Sequence, residues 1–417
     1  MQNKVKKQKA VITGMGVISP LGENVNEYWA NLEQGVSGIG PMTLCDPSEF
    51  PSKIAGEVNT FDPITYIDKK EAKRMARFSQ MAVAAANLAI ENANITFTKD
   101  ELNRTAVIIG NGNGGVPEIE QNARAQVLKG ETKVSPYFIP MILPNMAAAN
   151  ISRIFGFKGF SSTVVTACAA STQSIGDAAL LINNEMCDIV LAGGCESGIT
   201  KLGLGGFSAL RALSTQNEEP AKASKPFDIN RDGFVPAEGA GMFVIESEGH
   251  AIKRGANILC EIVGMGVSSD AHHPVQPDPS GDGAILSMER ALNNANINNE
   301  EIDYINAHGT STPLNDICET NALKKLFKEH AYKVPISSTK SMIGHVLGGA
   351  GALEGIATVL SIINQKAHPT INLETPDPEC DLNYVPNKSV DVNINYAMSN
   401  NFGFGGQNAS IIFRKPS

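Results

Sequence analysis

Short β-branched runs alternate along this chain with stretches whose apolar residues recur at helical spacing, which is the pattern of α/β architecture. In the first half, 9–13, 105–109, 162–166, 188–192 and 241–246 read as strands, and 71–93 and 169–182 as helices. The second half replays that order. Residues 259–264, followed by Met265-Gly266-Val267, echo 11–13 followed by Gly14-Met15-Gly16-Val17. The run 302–306 leading to His308-Gly309 parallels 105–109 leading to Gly110, and 334–338 with a helix over 349–364 parallels the segment around Cys168. The glycine turn 398–406 and the strand 409–413 close the chain. Two similar halves, 1–255 and 256–417, are expected to share one core, since no low-complexity linker separates them.

Composition narrows the class. With 42% hydrophobic residues, 417 residues bury a large core, which excludes disorder as the main state. The net charge of −9 opposes general nucleic-acid binding, which needs a basic face. Seven scattered cysteines without a closely spaced pair fit a reducing compartment better than a disulfide framework. The lysine-rich 1–10 and apolar 10–21 resemble a leader only superficially, because Gly14, Gly16 and Pro20 interrupt the run. Pro136, Pro140 and Pro144 likewise make a spanning helix over the uncharged 134–152 implausible. A cytoplasmic protein without membrane segments is expected.

Four segments carry candidate chemistry. Cys168 follows an apolar strand among small neighbours and opens a helix, where the macrodipole and free N–H groups favour thiolate. Taken alone, a cysteine among alanines is more often a small buried hydrophobe. His308, in Asn306-Ala307-His308-Gly309-Thr310-Ser311-Thr312-Pro313, and His345, five residues after Lys340 on a hydroxyl-rich loop, also sit at strand ends, where ligands bind in such sheets. The turn Asn401-Phe402-Gly403-Phe404-Gly405-Gly406 places glycines on both sides of Phe404 and lets its ring swing.

These motifs, with Ala167-Cys168-Ala169 and Ser338-Thr339-Lys340-Ser341, strongly resemble the β-ketoacyl-acyl carrier protein synthases, type II, over nearly the whole chain. The resemblance implies a thiolase-like fold: two duplicated halves in a five-layer αβαβα sandwich, normally a homodimer. It implies a decarboxylating Claisen condensation in fatty acid elongation, with an acyl primer on Cys168 and malonyl-acyl carrier protein as the second substrate. His308 and His345 would donate to the enolate, Lys340 with Glu354 would orient the site, and the N–H groups of Cys168 and Phe404 would form an oxyanion hole. Phe404 would also gate the two half-reactions. Thr310 and Thr312 would hold the phosphopantetheine arm, which arrives on the carrier protein. No metal or organic cofactor is expected to do chemistry.

By the same resemblance, Ala167, Gly203, Phe207 and Leu347 line the acyl pocket, with Phe138, Ile139 and Ile142 reaching in from a partner subunit. Asn113 departs from the family, where an apolar residue gates the acyl tunnel. An amide facing the tunnel would disfavour long saturated chains unless it found a hydrogen-bond partner; turned outward, it would change nothing. Lys70, Lys73, Arg74, Lys133 and Arg211 match positions that dock the acidic carrier protein. Among other classes, a dinucleotide-binding oxidoreductase is disfavoured, because Pro117 interrupts the helix expected after Gly110-x-Gly112-x-x-Gly115. A noncatalytic chain-length factor would lack Cys168, and a degradative thiolase fits the paired histidines poorly. A ketosynthase of polyketide or other secondary metabolism shares every motif.

Overall fold

A computed structural model describes residues 8–130 and 133–416. The first residues of the leader-like segment, 1–7, lie outside these. Ten strands form the sheet: β1 Ala10–Ile18, β2 Ala106–Gly110, β3 Ser161–Val164, β4 Ile189–Glu196, β5 Gly239–Ser247, β6 Cys260–Ser269, β7 Tyr304–Asn306, β8 Ile336–Ser337, β9 Tyr396–Gly403 and β10 Gln407–Arg414. Their spatial order is β8-β7-β9-β10-β6-β1-β5-β4-β2-β3. Split between β6 and β1, each half has the same winding: its third, second, fourth, fifth and first strands in turn. The duplication visible as element order in the sequence is therefore a duplication of topology, joined by the antiparallel β1–β6 pair.

Seven helices matter here: α1 Arg77–Asn92, α2 Val116–Lys129, α3 Ala170–Asn183, α4 Lys201–Ala209, α5 Asp282–Ala295, α6 Pro313–Phe327 and α7 Ala350–Asn364. The strands α1 covers are β1, β5 and β4, while α5, backed by α6, covers β6 and β10. Between the half-sheets, α3 and α7 pack on each other and on strands of both halves. The result is five layers, α-β-α-β-α. Sheets covered on both faces read as continuous apolar runs, which is why β1, β2, β4 and β5 are buried along their whole length.

The outer helices touch the sheet through a device used twice. A Cβ on Gly16 would lie 2.0 Å from the Ala85 carbonyl oxygen of α1, and one on Gly266 would lie 2.0 Å from the Ser287 oxygen of α5. Any side chain at either position would push the helix off its strand. Leu347–Asn364 is long and apolar enough by composition to cross a bilayer, but 89% of it is buried inside the protein as the central layer.

Two expectations are corrected. The helix expected over 71–93 is two: Lys69–Ala72, capped by Asp68, then α1 from Arg77. The chain is extended at Ala76 (φ −69°, ψ 156°), and the Arg77 guanidinium is held by Glu238 at 2.7 Å and the Val58 carbonyl at 2.8 Å. The strand expected over 162–166 ends at Val164, because the chain must turn sharply to present Cys168.

Candidate active site

Parallel strands in both halves aim their carboxyl ends at one place. β3 leads to Cys168, β7 to His308, β8 to Lys340, and β9 to Phe404. The turn into α3 is strained: Ala167 has φ +49°, in the left-handed region that residues with a Cβ seldom occupy. Its topological counterpart before α7, Leu347, has φ +47°. Both halves thus carry the same elbow, with Cys168 at its tip in the first and Gly348 in the second. The Gly348 N–H donates to the buried Glu196 carboxylate at 3.2 Å, as does that of Gly112 at 2.9 Å.

Around the sulfur the geometry is close. His345 Nε2 lies 3.1 Å from Cys168 Sγ, and the two imidazoles stand edge to face with centroids 5.5 Å apart. The Leu347 N–H donates to His345 Nδ1 at 3.2 Å. His308 Nδ1 receives Lys340 Nζ at 3.2 Å and Asn401 Nδ2 at 3.3 Å. With each Nδ1 occupied as an acceptor, a neutral imidazole must carry its proton on Nε2. Burial, reinforced by the Lys340 charge, holds both histidines well below their usual pKa, so neutral is the resting form. The site therefore presents two Nε2–H donors.

A sulfur and two imidazole nitrogens within 4.8 Å of one another would superficially suit a soft metal ion. The same hydrogen bonds argue against that use. A metal needs the Nε2 lone pairs, and moving the protons to Nδ1 would set them against the Leu347 N–H on one ring and an ammonium on the other.

Behind His308 lies a wholly buried polar relay. Lys340 Nζ sits 2.5 Å from Glu354 Oε1 and donates to the His308 carbonyl at 2.7 Å. Asn401 donates to Glu354 Oε2 at 2.8 Å and accepts from Thr172 Oγ1 at 2.5 Å. The Glu319 carboxylate takes the main-chain N–H groups of His308 and Gly309, both at 2.8 Å, which fixes the loop that carries the ring. Burial drives Glu319 and Glu196 each up to about 7 against these hydrogen bonds.

The expectation of a thiolate-favouring environment needs correction. Burial pushes the Cys168 thiol up to about 11, against the opposing pull of the Lys340 charge and the Phe404 main-chain N–H. The Lys340 charge and the Phe404 N–H limit the rise without reversing it.

Cys168, His308 and His345 open into a cavity of about 620 Å³, whose walls include Asn113, Ala167, Phe207, Leu347, Thr310, Thr312, Arg211 and Phe404. The hydroxyls of Thr310 and Thr312 are 2.8 Å apart, and the Phe404 ring is 36% exposed. Asn113 is part of the cavity wall, with its main-chain N–H directed at Glu196 at 3.3 Å and its side-chain nitrogen beside Gly198. Other expected residues lie elsewhere. Gly203 belongs to α4, its N–H taken by Thr200 Oγ1 at 3.0 Å, and is not in the wall. Phe138, Ile139 and Ile142, on the short helix Phe138–Ile142, do not reach this chain's own cavity. Of the basic residues, Arg211 is at the cavity; Lys70, Lys73, Arg74 and Lys133 are exposed outside its wall, and Arg74 pairs with Glu71 at 3.4 Å and covers the Tyr137 ring.

Sequence reasoning missed Glu196, Glu319, Thr172 and Arg231. Arg231 is buried and donates to the carbonyls of Thr312 at 3.2 Å and Pro313 at 3.1 Å, bracing the threonine loop. Glu196 did carry a signal, as a carboxylate closing an otherwise apolar strand.

Comparison with known proteins agrees with this geometry. The sequence profile of the beta-ketoacyl synthase N-terminal domain matches residues 7–251, and that of the C-terminal domain matches 259–374. A protein of Coxiella burnetii named 3-oxoacyl-[acyl-carrier-protein] synthase 2 is 47% identical over 99% of both chains. Its namesake in Synechocystis is 44% identical over the same shares. Among solved structures, a type II polyketide acyl-carrier protein in complex with its ketosynthase matches with TM-score 0.91 and 34% identity, over 99% of this chain and 100% of that one. The chain has the thiolase-like ketosynthase fold and belongs to the beta-ketoacyl synthase family.

Proposed function

We propose that this protein elongates fatty acyl chains by condensing an acyl primer with malonyl-acyl carrier protein. One observation carries the reading: Cys168 Sγ and two Nε2–H donors share a cavity with the Thr310 and Thr312 hydroxyls. Cys168 attacks the primer thioester; the carrier's thiol leaves with the proton that Cys168 gives up, and the acyl group remains on the sulfur. The N–H groups of Cys168 and Phe404 stabilise the tetrahedral oxyanion. The malonyl thioester then loses CO2, and His308 and His345 donate to its enolate oxygen as negative charge develops there. The enolate carbon attacks the Cys168 thioester, the sulfur departs and recovers a proton, and 3-oxoacyl-acyl carrier protein is released. Phe404 moves aside between the half-reactions, and Thr310 and Thr312 hold the phosphopantetheine arm. No resident cofactor or metal takes part.

Fatty acid elongation is favoured over polyketide synthesis by the relatives, which are 44–47% identical under a fatty-acid-type synthase name against 34% for the polyketide ketosynthase. We also infer a cytoplasmic homodimer whose halves divide at 255/256. Seven free thiols fit a reducing compartment, and the edge strand β3 is flanked by Phe160 and Val165, 51% and 53% exposed, as a surface for a second copy. Phe138, Ile139 and Ile142 would then line the partner's acyl pocket.

The reading is tested by mixing the protein with an acyl-acyl carrier protein and malonyl-acyl carrier protein. A 3-oxoacyl product two carbons longer is expected, and its absence with every primer would refute the assignment. In the same assay, Lys73→Glu with Arg74→Glu should raise KM for the carrier protein, more at low salt. An unchanged KM would move the docking surface elsewhere.

A further inference from the structure

The two halves end their fourth strands differently. Strands β4 and β9 are each eight residues long, and the second residue of each pairs in parallel with the first of its neighbour, Val190 with Ala106 and Ala397 with Tyr304. Superposing the halves on that register places Glu196, the last residue of β4, on Gly403, the last of β9. Gly403 lies against the first elbow, where a Cβ on it would be 3.1 Å from the Cys168 nitrogen. The absence of a side chain there leaves the Cys168 N–H for a substrate oxygen.

At the second elbow the equivalent position carries a carboxylate. Glu196, 0% exposed, accepts from the main-chain N–H groups of Gly348 at 3.2 Å, Gly112 at 2.9 Å and Asn113 at 3.3 Å. Gly348 is the counterpart of Cys168, so this carboxylate sits where an oxyanion would sit on the first elbow. The fit is close. A Cβ on Gly348 would be 2.2 Å from the Gly112 nitrogen, and one on Gly112 would be 2.7 Å from Glu196 Oε2. Convergent main-chain N–H groups form an anion-binding concavity, and here the protein supplies the anion itself.

The elbow that this carboxylate secures is strained, since Leu347 holds φ +47°. The Leu347 N–H donates to His345 Nδ1 at 3.2 Å, the bond that leaves the ring proton on Nε2. Resting on the elongation reading, we propose that Glu196 is a positioning residue: it fills a duplicated oxyanion hole and so holds the Leu347–Gly348 elbow with His345 Nε2–H facing the reacting atoms. Glu196 is no part of the cavity wall and acts through the elbow alone. Carrier-protein binding does not depend on it, so its loss should appear in kcat with KM unchanged.

The experiment uses the full-length protein and follows CO2 release from malonyl-acyl carrier protein. Glu196→Ala empties the hole, which adjoins the cavity at Gly112. Its kcat should fall by about 10²-fold, the usual cost of a misplaced catalytic group. Formate, a free carboxylate small enough for the vacated space, should restore about tenfold of that loss through its charged hydrogen bonds. Formamide, of the same size and uncharged, should restore none. Glu196→Gln keeps the volume but sets an NH2 group against N–H donors, so its kcat should also fall, and it settles the matter if the alanine variant does not fold. Wild-type kcat in Glu196→Gln, or a folded Glu196→Ala that formate leaves inactive, would overturn the proposal and leave condensation standing. A wild type that releases no CO2 and elongates no primer would overturn the elongation reading, and the proposal with it.

Discussion

His308→Ala is expected to lower CO2 release from malonyl-acyl carrier protein by about 10²–10³-fold, the usual cost of removing one donor to a developing oxyanion. Transfer of the primer to Cys168 should fall far less, because the groups acting on the sulfur are His345 Nε2 at 3.1 Å and the Phe404 N–H. The split follows from the tautomer. Lys340 and Asn401 both donate to His308 Nδ1, leaving Nε2–H as the free donor. The pH dependence has a definite sign. Because burial and the Lys340 charge hold His308 well below its ordinary pKa, the neutral ring, with Nδ1 accepting from Lys340 and Asn401, persists as pH falls through 6.5 and gives way to the imidazolium only at the depressed pKa. His308 itself should therefore give no inflection at the ordinary histidine pKa; the group near it that titrates there is Glu319, which burial raises to about 7 and which anchors the His308 loop. The check is CO2 release and primer transfer measured separately on wild type and variant across pH. Equal losses in both half-reactions would contradict the assignment of His308 to the second.

The second large effect concerns the buried pair Lys340–Glu354, whose side chains are 1% and 0% exposed. Glu354→Leu strands an ammonium in the core and should cost about 3–5 kcal/mol of stability, the usual penalty for removing one member of such a pair. Combining it with Lys340→Met removes both charges and should recover most of that loss. Activity should not return with it. In the double variant His308 Nδ1 has lost its ammonium donor, and Asn401 has lost the carboxylate that orients its amide. Stability is read from denaturant unfolding and decarboxylation from CO2 release. Full activity in the stabilised double variant would show that the pair serves packing alone.

Much of this site was legible because chemistry collects where strands stop. Cys168, His308, Lys340 and Phe404 each follow a β-rich run, and the repeated order of elements places those run-ends together once the two halves are superposed. Three features depend on contacts between distant segments and could not be seen in the chain. The Cys168 thiol lies high because the closed protein removes water from it, which outweighs the Lys340 charge and the Phe404 N–H. The break at Ala76 depends on Arg77 meeting Glu238 and Val58. Glu319 and Arg231 act by fixing loops that carry His308 and Thr312, and nothing near them in sequence names those targets.

The central claim is that Cys168 alone among the seven thiols forms a covalent bond with the primer. It is tested by the intact mass and peptide map of the protein after incubation with an acyl-acyl carrier protein and no malonyl donor. The expected result is a single acyl mass on the peptide containing Cys168, absent from Cys168→Ala and discharged on addition of malonyl-acyl carrier protein. An acyl group that persists in Cys168→Ala, or maps to another cysteine, would contradict it.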